Sequence, residues 1–178
     1  VAESQVATIL QSSRSLLTII NDILDISKFE SGKFELENVC FHLINAIAFA
    51  LKTIEHQARE KGIEITLNVS PDLPLRFKGD PTRLRQVILN LVGNAVKFTQ
   101  TGEVVLKIEK DTETDTHISL KMLVTDTGKG IPKELRHRLF ESFSQVDRSD
   151  TRKFGGTGLG LIISQMIAEK MGSKINLD

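Results

Sequence analysis

A chain of 178 residues with 40% hydrophobic content is long enough for one full core plus an appendage. Its 23 Lys and Arg balance 23 Asp and Glu, so net charge points to neither a nucleic acid nor a membrane surface as partner. A single cysteine, Cys40, excludes an internal disulfide, no Cys/His cluster has metal-ligand spacing, and no apolar stretch nears the roughly 18 residues of a membrane span. With no signal pattern at the amino terminus, the expected setting is cytoplasmic, whether the chain stands alone or is the cytoplasmic part of a membrane-anchored receptor.

In chain order, Val6, Ile9, Leu10, Leu16, Leu17, Ile20, Ile23 and Leu24 recur at helical spacing and predict a helix over 3–30 with a broad apolar stripe. One amphipathic helix with so wide a stripe needs other helices to pack on. We read it as one arm of a bundle completed by a partner chain, against the plainer alternative of a helix lying on its own domain. Ser31-Gly32 ends it. Alternation from Phe34 to Phe41 predicts a strand, followed by a helix over 43–61 with Ile44, Ile47, Ala48, Leu51 and Ile54 inward and Gly62 as its stop. Ile63, Ile65, Leu67 and Val69 alternate as a second strand. After a turn at Pro71–Pro74 and a short strand over Leu75–Phe77, Asp80-Pro81 reads as an N-cap and first helical position. Gly102 opens a hairpin, Val104–Glu109 with Ile118–Thr125, joined by a turn over Asp111–Asp115. A short helix after Pro132, a polar stretch and a helix from about Gly158 to Met171 complete the order. One mixed sheet with helices on one face gives an α+β, two-layer α/β sandwich.

Three stretches carry the chemistry. On the helix after Asp80, Asn90, Asn94 and Lys97 are spaced by four and three and share one face, while Val87, Ile88, Leu91 and Ala95 serve the core. Amide oxygens are neutral hard ligands suited to Mg²⁺, and an ammonium counters phosphate charge; the alternative is simply the wet side of an amphipathic helix. Asp126-Thr127-Gly128-Lys129-Gly130-Ile131 follows a β-rich run and places a carboxylate at a strand end, although such a turn is common. Gly155-Gly156-Thr157-Gly158-Leu159-Gly160-Leu161 runs into the last helix, and loop amides at a helix amino terminus form a phosphate concavity. It lacks the ending of a P-loop and does not follow a strand in the dinucleotide-binding manner. Arg148, Arg152 and Lys153 lie just upstream, either as lid cations or as an exposed charged loop.

In this order and spacing the stretches resemble the N, G1 and G2 boxes of the sensor histidine kinases, a branch of the superfamily that includes gyrase-type, chaperone and mismatch-repair ATPases. The wording around Asn90–Thr99 and Thr151–Leu161 is similar to that of hybrid kinases. The resemblance runs from about residue 5 to the end and implies a Bergerat ATP-binding fold with ATP and Mg²⁺ as ligands. It assigns catalytic roles to Asn90, Asn94 and Lys97, with Asn90 and Asn94 also on the metal. It places Asp126 on the adenine amino group, Gly128, Gly130 and Ile131 at the base, and Gly156, Thr157, Gly158, Leu159 and Gly160 at the phosphates. Arg152 and Lys153 belong to the lid, and Leu139–Phe143 resembles the F box, with Phe140 and Phe143 as hinges and Ser142 where the family often has proline.

An ionised carboxylate only accepts hydrogen bonds, so Asp126 favours adenine over guanine. In the ATPase relatives a glutamate that activates water stands where Asn90 does; a carboxamide accepts no proton, which favours phosphate transfer to a protein. The family's acceptor is a histidine on the first helix of a dimerisation hairpin, and none of His42, His56, His117 or His137 lies in such a setting. The expected organisation is therefore 1–32 as the second hairpin helix and 33–178 as the ATP-binding catalytic domain, shortened in its last hairpin. Such a chain binds ATP without phosphorylating itself. The implied partners are a second copy through the amino-terminal helix of the full-length protein and a response regulator receiver domain, with no nucleic acid and no direct membrane contact. The rival readings are a nucleotide-sensing module that transfers nothing and a gyrase-like ATPase.

Overall fold

The computed structural model describes residues 2–140 and 158–177, which divide into two compact units: 36–136, and 1–35 with 137–178. In the first unit the chain runs through β1 (Val39–His42), α2 (Leu43–Glu60), β2 (Ile63–Val69), β3 (Arg76–Gly79), α3 (Pro81–Phe98), β4 (Gly102–Glu113) and β5 (Ile118–Asp126). The second holds α1 (Ala2–Glu30) and α4 (Gly160–Lys170), and a 3₁₀ stretch, Lys133–Phe140, spans the division.

The strands form two sheets rather than the single sheet expected. β2 pairs parallel to β4 and β4 antiparallel to β5, whereas β1 and β3 form a separate antiparallel pair. The alternating run from Phe34 contributes a strand only over Val39–His42, because β3 offers only four residues to pair with. Phe34 is instead buried and stacks on Phe29 of α1 with ring centroids 3.8 Å apart. Near its far end the β4–β5 ladder shifts register between Lys110 and Thr112, leaving Asp111 as a one-residue bulge. There Lys110 sits 2.9 Å from Glu113, whose hydrogen bond raises the ammonium pKa, and also faces Asp72, whose carboxyl pKa is lowered chiefly by the Ser70 hydroxyl.

α2 and α3 cover one face of the three-stranded sheet, and Val104, Leu106 and Ile108 of its central strand are completely buried beneath them. The inward faces are rotated from those expected. On α2 the buried residues are Leu43, Ala46, Ile47, Ala50, Ile54 and Ala58, while Ile44 and Ala48 are exposed. Each fully buried Leu or Ile contributes about 1.5–3 kcal/mol. On α3, Leu84, Val92 and Val96 join Ile88 and Ala95 in the core, and Val87 and Leu91 are half-buried. α3 begins as expected: the Asp80 carboxylate accepts from the amides of Thr82 and Arg83 at 3.0 and 2.9 Å, with Pro81 in the first turn.

In the other unit α1 and α4 lie against each other. α1 turns its apolar stripe outward: Ile9, Leu16 and Leu17 are each more than half exposed, while Asp22 and Asp25 are buried. α4 begins at Gly160, two residues later than expected, and buries Ile163, Ser164 and Ile167. Among the described residues no helix is long and apolar enough to cross a membrane.

Candidate functional site

The polar face of α3 carries Asn90, Asn94 and Lys97, all half-buried. One helical turn separates the two carboxamides, and Asn94 Nδ2 donates to Asn90 Oδ1 at 3.4 Å. Just beyond, Phe98 offers its ring to two ammonium groups, Lys97 Nζ at 5.1 Å and Lys129 Nζ at 5.8 Å from the centroid. Both lie within the range of cation–π attraction and gather positive charge at this end of the helix.

Asp126 is the last residue of β5, and its Oδ1 accepts from the Gly128 amide at 2.8 Å, which closes the turn after the strand. Only Oδ1 is engaged by described residues, so Oδ2 remains as an acceptor at an exposed strand end. The strand end is fixed by its neighbour: the Glu103 amide donates to Thr127 Oγ1 at 3.1 Å, and the Thr127 amide donates to the Glu103 carbonyl at 3.2 Å. Gly102, at φ +117°, makes room for this lock, because a Cβ there would collide with Thr127 Oγ1.

The α3 terminus and the Asp126 turn meet at Gly128. A Cβ at Gly128 would stand 2.7 Å from Asp126 Oδ1, 2.9 Å from the Phe98 carbonyl oxygen and 3.1 Å from Thr99 Oγ1. Thr99 is fully buried, and its hydroxyl finds no hydrogen-bond partner among the described residues. An orphan hydroxyl beside an acceptor carboxylate marks a place for a water or ligand group, since leaving it bare costs about 1–3 kcal/mol. Lys61, at the end of α2, donates through Nζ to the carbonyls of Val96 and Lys97 at 2.8 Å and of Thr99 at 3.2 Å.

Of the residues expected at the site, Asn90, Asn94, Lys97, Asp126, Gly128, Gly130 and Ile131 fall in one compact unit, with Gly130 and Ile131 exposed beyond the Asp126 turn. Gly158, Leu159 and Gly160 lie at the start of α4 in the other unit, Leu159 buried. Phe140 ends the 3₁₀ stretch. Phe143, Arg148, Arg152, Lys153, Gly156 and Thr157 fall outside the described residues. Thr99, Lys61 and Lys129 were not anticipated. Thr99 was visible as the polar residue closing the Asn90 stretch, but Lys61 stands far from any motif in sequence. A groove of about 630 Å³ between α2 and β2, lined by Leu51, Glu55, Arg59 and Leu67 among others, contains none of the expected residues; the convergence at Gly128 is the better site on chemical grounds.

Residues 79–178 match the family described as "Histidine kinase-, DNA gyrase B-, and HSP90-like ATPase". The chain is 44% identical over 169 residues to the signal transduction histidine-protein kinase BarA of Escherichia coli strain K12, across 95% of this chain and 18% of that protein. It is 43% identical over 171 residues to hybrid signal transduction histidine kinase F of Dictyostelium discoideum, across 96% of this chain and 15% of that protein. It thus spans less than a fifth of either relative. Among solved structures, full-length ShkA in complex with AMPPNP superposes with a TM-score of 0.75 at 34% identity, covering 96% of this chain and 34% of that one. With the α+β sandwich and the Asn90, Asp126 and Gly158 stretches in family order, the chain belongs to the histidine kinase-, DNA gyrase B- and HSP90-like ATPases.

Proposed function

We propose that this chain binds ATP and directs its γ-phosphoryl group to a histidine, for relay to a response regulator aspartate. The carrying observation is the junction at Gly128, where the Asp126 carboxylate, the buried Thr99 hydroxyl and the α3 terminus converge. Asp126 Oδ2 accepts from the adenine amino group, which guanine lacks at that point. Gly128, Gly130 and Ile131 bring backbone against the base. Lys97, on the same face of α3 as Asn90 and Asn94, counters the charge of the phosphates.

The paired carboxamides of Asn90 and Asn94 fit Mg²⁺ as neutral oxygen donors, and the ion when bound supplies charge neutralisation to the phosphates. Asn90 has no basic site for a water proton, so the chain's own groups favour attack by an imidazole nitrogen: an N–P bond forms as the bond to the ADP oxygen breaks. Of the four histidines, His56 pairs with Glu60 on exposed α2 and His117 binds Thr116 in the β4–β5 turn; neither is presented as an acceptor. Because none of His42, His56, His117 or His137 lies in the sequence setting of the family's acceptor, the chain alone does not phosphorylate itself on this reading. Residues 1–32 act as a dimerisation helix and 33–178 as the catalytic domain, in a cytoplasmic setting. The outward apolar stripe of α1 supports a second copy as its partner.

Calorimetric titration with ATP and GTP, with and without Mg²⁺, tests this reading. Binding is expected for ATP only, and Asp126→Asn should weaken it by at least about tenfold. A histidine-bearing helix of a full-length kinase, added in trans, should then acquire acid-labile phosphate. Steady phosphate release by the chain alone would overturn the transfer reading.

A further inference from the structure

The end of α3 is held by a residue 35 or more positions upstream. Lys61 follows the last residue of α2, and its ammonium donates to three carbonyls at the end of α3, those of Val96, Lys97 and Thr99. The last four carbonyls of a helix have no intrahelical donor and carry the negative end of its dipole, so a cation there both satisfies and neutralises them. The backbone thus held is the same backbone that faces the Asp126 turn. The Phe98 carbonyl and Thr99 hydroxyl bound the space around Gly128, and the Gly128 amide in turn fixes Asp126 Oδ1.

We infer that Lys61 is a positioning residue for the nucleotide site. Its ammonium sets the end of α3, that end sets the Gly128 turn, and the turn aims the Asp126 carboxylate. Lys61 touches neither Asp126 nor Gly128 directly, and no other described side chain donates to all three carbonyls. Arg59, two residues earlier, pairs with Glu55 on the exposed side of α2 and serves as the control. The inference rests on the nucleotide reading above.

The experiment compares Lys61→Met, Lys61→Arg and Arg59→Ala in this chain. ATP affinity is measured well below each melting temperature, and amide hydrogen exchange is measured without nucleotide. Lys61→Met is expected to speed exchange of the amides of Lys97–Gly128 turn contacts, Thr99 above all, and to weaken ATP binding by about tenfold. Lys61→Arg, which keeps donors and charge, should restore both to within about threefold, and Arg59→Ala should change neither. If Lys61→Met does not fold, Lys61→Gln takes its place. Faster exchange with unchanged affinity would overturn positioning and leave Lys61 as a helix cap only; unchanged exchange would overturn the cap as well. If the unsubstituted chain binds no ATP, the nucleotide reading fails and the positioning role with it, while the exchange data still decide the cap.

Discussion

At Gly128 a single hydrogen atom separates a working junction from a collision. The nearest obstacle to a methyl group is the Asp126 carboxylate, and the next is the Phe98 backbone carbonyl at 2.9 Å, which cannot swing aside. Gly128→Ala should therefore cost about 1–3 kcal/mol, read as a lower urea midpoint, and should lose ATP binding in calorimetry even where the chain remains folded. Asp126 was legible in the sequence because the alternation of β5 counted down to it. Thr99 and Lys61 were not, because their roles arise only when the end of α3 meets segments remote in the chain.

The elements were legible wherever a local rule sufficed. The Asp80-Pro81 start of α3 needed only a capping side chain and a fixed φ, and the structure adds a third contact, the Glu37 amide donating to Asp80 Oδ2 at 3.0 Å. Asp80→Ala should destabilise the chain by about 1–2 kcal/mol in urea unfolding, toward the upper end because Asp80 is buried and serves two segments. The inward face of α2 was not legible from the largest apolar residues. Ala46, Ala50 and Ala58 are buried instead, and Phe49 stays outside, where the Arg85 guanidinium lies 5.4 Å from its ring centroid. Likewise nothing in the alternation of β1 and β3 announced that they would pair with each other apart from the three-stranded sheet, since partner choice is a tertiary matter.

For the whole molecule, the informative face is the apolar stripe of α1, which is exposed among the described residues. Leu17 and Leu24 of α1 are each more than half exposed, and burying such a side chain contributes about 1.5–3 kcal/mol, so two copies have reason to associate there. Sedimentation should show self-association that Leu17→Glu with Leu24→Glu abolishes, without loss of ATP affinity in calorimetry. The β4–β5 hairpin has unlike ends. At one, the Glu103–Thr127 lock ties register to Asp126; at the other, the Asp111 bulge absorbs an extra residue before the turn. Length changes at the bulged end leave the locked end in step, so the hairpin tip is free to drift, grow or carry a graft over evolutionary time while the Asp126 carboxylate stays where it is.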